Sequence, residues 1–280
     1  MMTPEQLKSR IRDFAKEKNI HAQEVLQSYM FERFLERLSK SKYKSNFVIK
    51  GGLLISLMIG ISERTTMDLD VTIKSFHVDE HKVIEIINEI TSVEVGDNII
   101  FEFDRIKPIR TDDKYNNYSV AMNALFGKID VPLKVDITTG DEIVPKEIIF
   151  KYKMLFEEKD IELLSYTLET ILAEKFETIL SRGISNTRAR DFYDIFILYQ
   201  LKKNEINWDI LRKAVEKTFK KRNSEQYSLE YQEIIDEIGN SVYLINIWKN
   251  YQAENLYVQN IEFTSILETL LEIGKRVFME

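Results

Sequence analysis

The chain has 280 residues, 44% apolar and 30% charged, which supports one large or two modest domains and excludes disordered and collagen-like structure. Its 39 Lys and Arg against 46 Asp and Glu leave a formal charge of −7, so any nucleic-acid binding has to use a local patch instead of a global positive field. It contains no cysteine, which excludes disulfides, thiolate metal sites and thiol catalysis and fits a reducing compartment.

The opening string MMTPEQLKSRIRDFAKEK is charged throughout, so it is not a secretory signal. Thr3 and Pro4 form an N-cap and N1 pair, and Leu7, Ile11 and Phe14 follow at helical spacing. Val25, Tyr29, Phe31, Phe34, Leu35 and Leu38 predict a second helix that ends in the polar, basic run at 39–45. From Phe47 the pattern changes to strand and tight turn. FVIKGG is followed by a short apolar helix, LLISLMIGI, and then by DLDVTI, where Asp68, Asp70 and Thr72 alternate with Leu69, Val71 and Ile73. A helix at about 77–90 precedes IIFEFDRI, YSVAMNALF and LKVDIT, all strand-like, so residues 45–150 read as an α/β nucleus. Past residue 164, TLETILAEKFETILSRG, RARDFYDIFILYQLKK, WDILRKAVEKTFKKR and FTSILETLLEIGKRVFME predict helices, the first stopped by Gly183. The uncharged run 51–62 is twelve residues long, short of the roughly 20 a membrane span needs, and a soluble, cytoplasmic protein without a membrane partner is expected.

Charge is unevenly spread. Residues 1–45 hold ten Lys and Arg against six acids, residues 202–222 hold eight against three, and residues 224–280 hold three against ten. Each run reads either as a solvated helix face or, for the two basic segments, as a surface that tracks phosphates.

The chemistry-bearing residues begin at Lys50-Gly51-Gly52. A glycine pair between strand and helix lets the chain turn sharply and brings bare N–H groups and a helix N-terminus near an anion, as a phosphate requires. Asp68 and Asp70, two apart on a strand, share one face at about 6 to 7 Å between Cα atoms, a spacing that suits hard divalent cations. Asp136 in LKVDITTGD turns away from Leu133, Val135 and Ile137 in the same manner. Three acids on adjacent strands fit two Mg²⁺ ions, one gripping a triphosphate and one acidifying an attacking hydroxyl. Taken singly, each aspartate also reads as a solvated or salt-bridged strand residue.

In the helical half Lys175 falls within the apolar stripe Leu168, Ile171, Leu172, Phe176, Ile179 and Leu180. A lysine there needs a carboxylate or a ligand phosphate, unless it snorkels at the stripe's edge. Asp191 directly precedes the stripe Phe192, Ile195, Phe196 and Tyr199 and is expected at the rim near Lys175, whereas Asp194, four from Arg190, is expected in a surface ion pair.

In order along the chain, KGG, Arg64-Thr65-Thr66-Met67-Asp68-Leu69-Asp70, DITTGDEIVP, Ala173-Glu174-Lys175 and RARDFYD resemble the AbiEii-type toxin nucleotidyltransferases, a branch of the DNA polymerase β-like superfamily, over residues 47–198. The superfamily usually carries Gly-Ser where this chain has Gly51-Gly52. The resemblance implies an α+β fold, with a nucleotidyltransferase-like mixed β-sheet nucleus and a mainly α-helical C-terminal domain. The expected divisions are N-terminal helices at 1–45, the nucleotidyltransferase domain at 46–163 and the helical domain at 164–280. It also implies the toxin of a toxin–antitoxin pair that transfers a nucleoside monophosphate from an NTP to an acceptor hydroxyl, the tRNA 3′ end in some relatives, with growth arrest as the outcome. Its antitoxin would be a separate DNA-binding repressor that need not touch it. On this reading Asp68, Asp70 and Asp136 hold Mg²⁺, and Asp136 also orients or deprotonates the acceptor. Lys50, Gly51, Gly52, Arg64 and Thr66 bind the nucleotide, Lys175 contacts phosphate and Asp191 is a catalytic acid. Arg64 otherwise reads as an ordinary surface arginine.

Two other readings compete. His77-Val78-Asp79-Glu80-His81 matches H-x-x-E-H, in which two histidines bind zinc and the glutamate is the base of a hydrolase, although Ser75 or Asp79 capping the following helix is the simpler explanation. The third reading is a non-catalytic interaction module on the same fold.

Overall fold

Thr3 caps the first helix as its chemistry predicts. Its Oγ1 accepts from Gln6 N at 3.3 Å and its own N–H donates to Gln6 Oε1 at 2.9 Å, a reciprocal box that starts α1 at Pro4–Lys18. The computed structural model describes residues 2–74, 78–109, 117–140 and 143–279. They divide into two units, residues 1–142 with 147–166, and residues 143–146 with 167–280.

In the first unit α1 is followed by α2 (Ala22–Lys40), β1 (Phe47–Lys50), α3 (Gly51–Ile59), β2 (Asp68–Ile73) and α4 (Glu80–Thr91). Then come β3 (Ile100–Pro108), β4 (Tyr118–Phe126), β5 (Ile129–Thr139), β6 (Ile148–Lys153) and β7 (Asp160–Ser165). The seven strands form one sheet in the order β3-β4-β5-β2-β1-β7-β6. It is mixed: β2 runs parallel to β5 and β1 to β7, while the other neighbours are antiparallel. The alternation in DLDVTI and LKVDIT does what period-two patterning requires, burying Leu69, Val71, Val135 and Ile137 completely and leaving the aspartates between them partly accessible. Helix α2 lies on β5, β7 and α4, so every residue from 27 to 38 is buried.

The strand pair β6–β7 lies past the stretch read as strands. β6 is an edge strand with Ile148 and Ile149 exposed, so it lacks the alternation that marks a half-buried strand.

The second unit is helical: α5 (Leu168–Arg182), α6 (Ala189–Lys202), α7 (Trp208–Lys221), α8 (Gln226–Leu229), α9 (Tyr231–Asn240), α10 (Val242–Glu254) and α11 (Phe263–Phe278). Gly183 ends α5 at φ +48°, its N–H donating to Ile179 O. α5 packs on α6 and α7, and α11 closes over α6, α7 and α9 through the aromatic contacts Phe192–Phe263, Phe219–Phe278 and Tyr231–Phe278. Among the described residues no helix is long and apolar enough to cross a membrane.

Candidate active site

Strand register decides which side chains meet. Lys50 of β1 stands opposite Asp70 of β2, Asp70 opposite Asp136 of β5, and Asp136 opposite Ser119 of β4. Residues opposite one another on neighbouring strands share a face about 4.8 Å apart, so these four form one row across the sheet. On the next rung Asp68 faces Lys134. The three aspartates read from the sequence therefore occupy adjoining positions on one face.

The glycine pair closes on this row. Gly51 has φ +68°, a left-handed conformation that a residue with a side chain adopts only at a cost, and a Cβ there would run into Asp70, 2.7 Å from its Cγ and 2.8 Å from its Cβ. A Cβ on Gly52 would lie 2.9 Å from Arg64 Nη2 and 3.1 Å from Thr66 Oγ1. Gly51 and Gly52 open α3, so its free N–H groups begin beside Asp70, Arg64 and Thr66. Lys50 donates to Thr138 Oγ1 at 2.7 Å. Arg64 is buried and donates to Thr65 O, Thr66 Oγ1 accepts from Asp68 N at 3.4 Å, and Thr65 Oγ1 donates to Glu24 Oε1 at 2.7 Å, which ties this loop to α2.

Lys134, which the sequence reading did not single out, lies among the acids. Its Nζ is 2.8 Å from Asp136 Oδ2 and 3.5 Å from Asp68 Oδ1. The hydrogen bond to Asp136 raises the Lys134 pKa, against a smaller opposing effect of burial, so its charge is secure at neutral pH. The signal was present in LKVD, where Lys134 is two residues from Asp136 and so on its face.

No group of three or more His, Cys, Asp or Glu is arranged to hold a metal ion among the described residues, and Lys134 sits between two of the acids. The donor set nevertheless fits a hard cation. All the donors are carboxylate oxygens, Asp136 Oδ1 is buried without a hydrogen-bond partner, and the backbone at Gly51 leaves the space beside Asp70 that a Cβ would fill. A cavity of about 700 Å³ elsewhere in this unit is lined by Arg33, Asp97 and Glu157, whose charges are already paired, and by none of the three aspartates.

Within the second unit Lys175 meets the carboxylate its position requires, and meets two. Nζ is 2.5 Å from Asp191 Oδ1 and 2.9 Å from Asp194 Oδ2. Burial pulls the Lys175 pKa down, but the charges of Asp194 and Asp191 outweigh it and the net direction is up. Asp191 Oδ2 is buried with no hydrogen-bond partner. The expected Asp194–Arg190 surface pair does not form: Asp194 is fully buried against Lys175 and Arg190 is exposed. Asp191 and Asp194 are three apart on α6 and so project on one side, toward the α5 lysine.

Of the H-x-x-E-H string, His77 lies outside the described residues. Glu80 and His81 are exposed in the first turn of α4, and Asp79 caps it by accepting from Lys82 N at 2.8 Å.

Solved structures share this fold. A candidate nucleotidyltransferase from H. pylori is 16% identical, with 92% of this chain and 94% of that one covered at a TM-score of 0.52. JHP933 from Helicobacter pylori is 17% identical, with 91% and 90% covered at 0.50. No curated protein matches this chain. The family model for the nucleotidyl transferase AbiEii toxin of type IV toxin–antitoxin systems matches residues 33–269, and the chain belongs to that family. It is therefore a nucleotidyltransferase of the toxin class, and such a toxin takes an NTP and is paired with an antitoxin.

Proposed function

We propose that this enzyme transfers a nucleoside monophosphate from an NTP to the 3′-terminal hydroxyl of tRNA in the cytoplasm, with Mg²⁺, and that the modified tRNA arrests growth. The observation that carries this reading is the rung on which Asp70 and Asp136 stand opposite one another, with Asp68 beside them and Gly51 closed against Asp70. Asp68, Asp70 and Asp136 would hold Mg²⁺. When bound, the metal supplies charge neutralisation for the triphosphate and lowers the pKa of the attacking hydroxyl. The free N–H groups opening α3, together with Lys50, Arg64 and Thr66, bind the phosphates. The acceptor oxygen bonds to the α-phosphorus as the bond to the pyrophosphate oxygen breaks, and the Asp136 carboxylate orients the hydroxyl and takes its proton. Lys175 neutralises phosphate charge and Asp191 serves as a catalytic acid, as the family resemblance implies. Exposed lysines of α7 track the RNA backbone. A separate DNA-binding antitoxin encoded nearby neutralises the outcome and need not bind the toxin directly.

The test is incubation of the full chain with each radiolabelled NTP, Mg²⁺ and purified tRNA. Label on tRNA is expected, reduced at least about 100-fold by Asp68→Ala and by Lys175→Ala. Absence of transfer to tRNA, other RNA, protein or the chain itself overturns the reading.

A further inference from the structure

Lys134 stands where the acids need a counter-ion. It faces Asp68 across the β2–β5 ladder and precedes Asp136 by two residues, reaching both carboxylates with one ammonium group. Its side chain is 47% exposed, so it is not locked into the core and can swing out. An ammonium ion supplies a single charge and three directed donors, and it leaves Asp136 Oδ1 without a partner. A divalent cation carries twice the charge and gathers more oxygens, at about 2.1 Å for Mg²⁺. The two like charges repel one another and compete for the same pair of carboxylates.

We propose that Lys134 is the built-in counter-ion of the acidic row: it holds Asp68 and Asp136 in place before metal binds, and an entering divalent cation competes with it for those carboxylates. This rests on the reading of the three aspartates as a metal site. Two consequences follow from the charge arithmetic. Without Lys134 the carboxylates repel one another, so the metal-free protein loses stability. With it, metal alone competes against a tethered cation, so loading is favoured when a triphosphate arrives to add further oxygens and negative charge.

The experiment measures Mn²⁺ binding to the nucleotide-free full chain from the electron paramagnetic resonance signal of free Mn²⁺. Lys134→Met should bind Mn²⁺ about fivefold more tightly than the native chain, a modest factor because the pair is partly exposed, while Lys134→Arg should bind as the native chain does. Lys134→Met should also melt lower without metal and gain more from Mn²⁺. Should it fail to fold, Lys134→Gln, which keeps a polar side chain, takes its place. Equal or weaker binding by the neutral variants overturns the inference and leaves the metal-site reading standing. If no variant and no native chain binds Mn²⁺, even with a non-hydrolysable NTP, both fall together.

Discussion

At Gly51 a single hydrogen atom in place of a side chain decides whether Asp70 can hold its position. Ala at that position would meet the Asp70 side chain and a left-handed backbone costing roughly 1 to 2 kcal/mol. Because a shift of about 1 Å in a catalytic group lowers rate by about 100-fold, Gly51→Ala should cut nucleotide transfer by that order. Gly60→Ala is the control: φ is +100° there too, but the nearest atom to a Cβ is Ser62 Oγ at 3.8 Å, so stability should fall by about 1 kcal/mol with transfer retained. Equal transfer by the two variants would refute the special closeness at Gly51. Asp194 carries the second residue-scale prediction. Removing it leaves Lys175 with one of its two carboxylates, so Asp194→Ala should destabilise by about 3 kcal/mol in urea melts, and Arg190→Ala by less than about 0.5. The Lys175 pKa is raised on folding, so the pair's stabilisation is fully present below the ordinary lysine value of about 10.4 and is lost as pH rises through the higher folded value. The melting-temperature gap between the native chain and Lys175→Met should stay constant from pH 8 to about 10 and narrow above it. Asp194 was misread because i to i+4 spacing with Arg190 is a rule for exposed helix faces, and this face is buried. Lys134 escaped notice for another reason: its partner Asp68 is 66 residues away in sequence, and only the parallel register of β2 with β5 joins them.

Helix α2 was legible as a helix but not as a buried one. Glu32, Arg33, Glu36 and Arg37 are ordinary surface residue types, yet all four are buried, because α2 is sandwiched among β5, β7 and α4. They survive there by pairing. Arg33 reaches Glu32 at 2.9 Å, Glu36 at 3.3 Å and Glu157 at 2.6 Å, and Arg37 holds Asp97 with two nitrogens at 2.8 and 2.7 Å. The Glu32 pKa is raised by burial in spite of Arg33, which shows how much this network depends on its cation. Arg33→Met should therefore cost about 3 to 5 kcal/mol in chemical denaturation, since it leaves the buried Glu32 carboxylate without its cation, whereas Glu36 keeps Lys40 and Lys159. Lys18→Met, which removes an exposed pair with Glu17, should cost less than about 0.5 kcal/mol. A small loss at Arg33 would mean that water enters the network. The strands β2, β4 and β5 were readable because alternation reports one buried face. The edge strand β6 was not, because its outer isoleucines break that alternation and only pairing with β7 makes it a strand.

Across the whole chain, a polyanion is being asked to handle polyanions. With a net charge of −7, long-range electrostatics oppose an RNA acceptor unless a local surface overrides them. The second unit contains both signs: α7 with its basic flank, and the acidic segment 224–280 with ten acids against three bases. On α7 the residues Leu211, Ala214, Val215 and Phe219 face the helical core, which leaves Lys213 and Lys220 exposed on the outer side. Their composition alone fits a solvated face as well as a phosphate-tracking one, and salt distinguishes the two. A lysine that neutralises an RNA phosphate releases a counterion, so each such contact contributes roughly 0.7 to 0.9 to the slope of log affinity against log salt. The double variant Lys213→Gln, Lys220→Gln should weaken tRNA binding at low salt and flatten that slope by about 1.5, with the NTP dependence of transfer unchanged because neither lysine belongs to the aspartate row. An unaltered slope would assign α7 to solvent and move the search for the RNA surface to the basic residues of the first unit, where Lys40, Lys44, Lys151 and Lys159 line a groove of about 540 Å³.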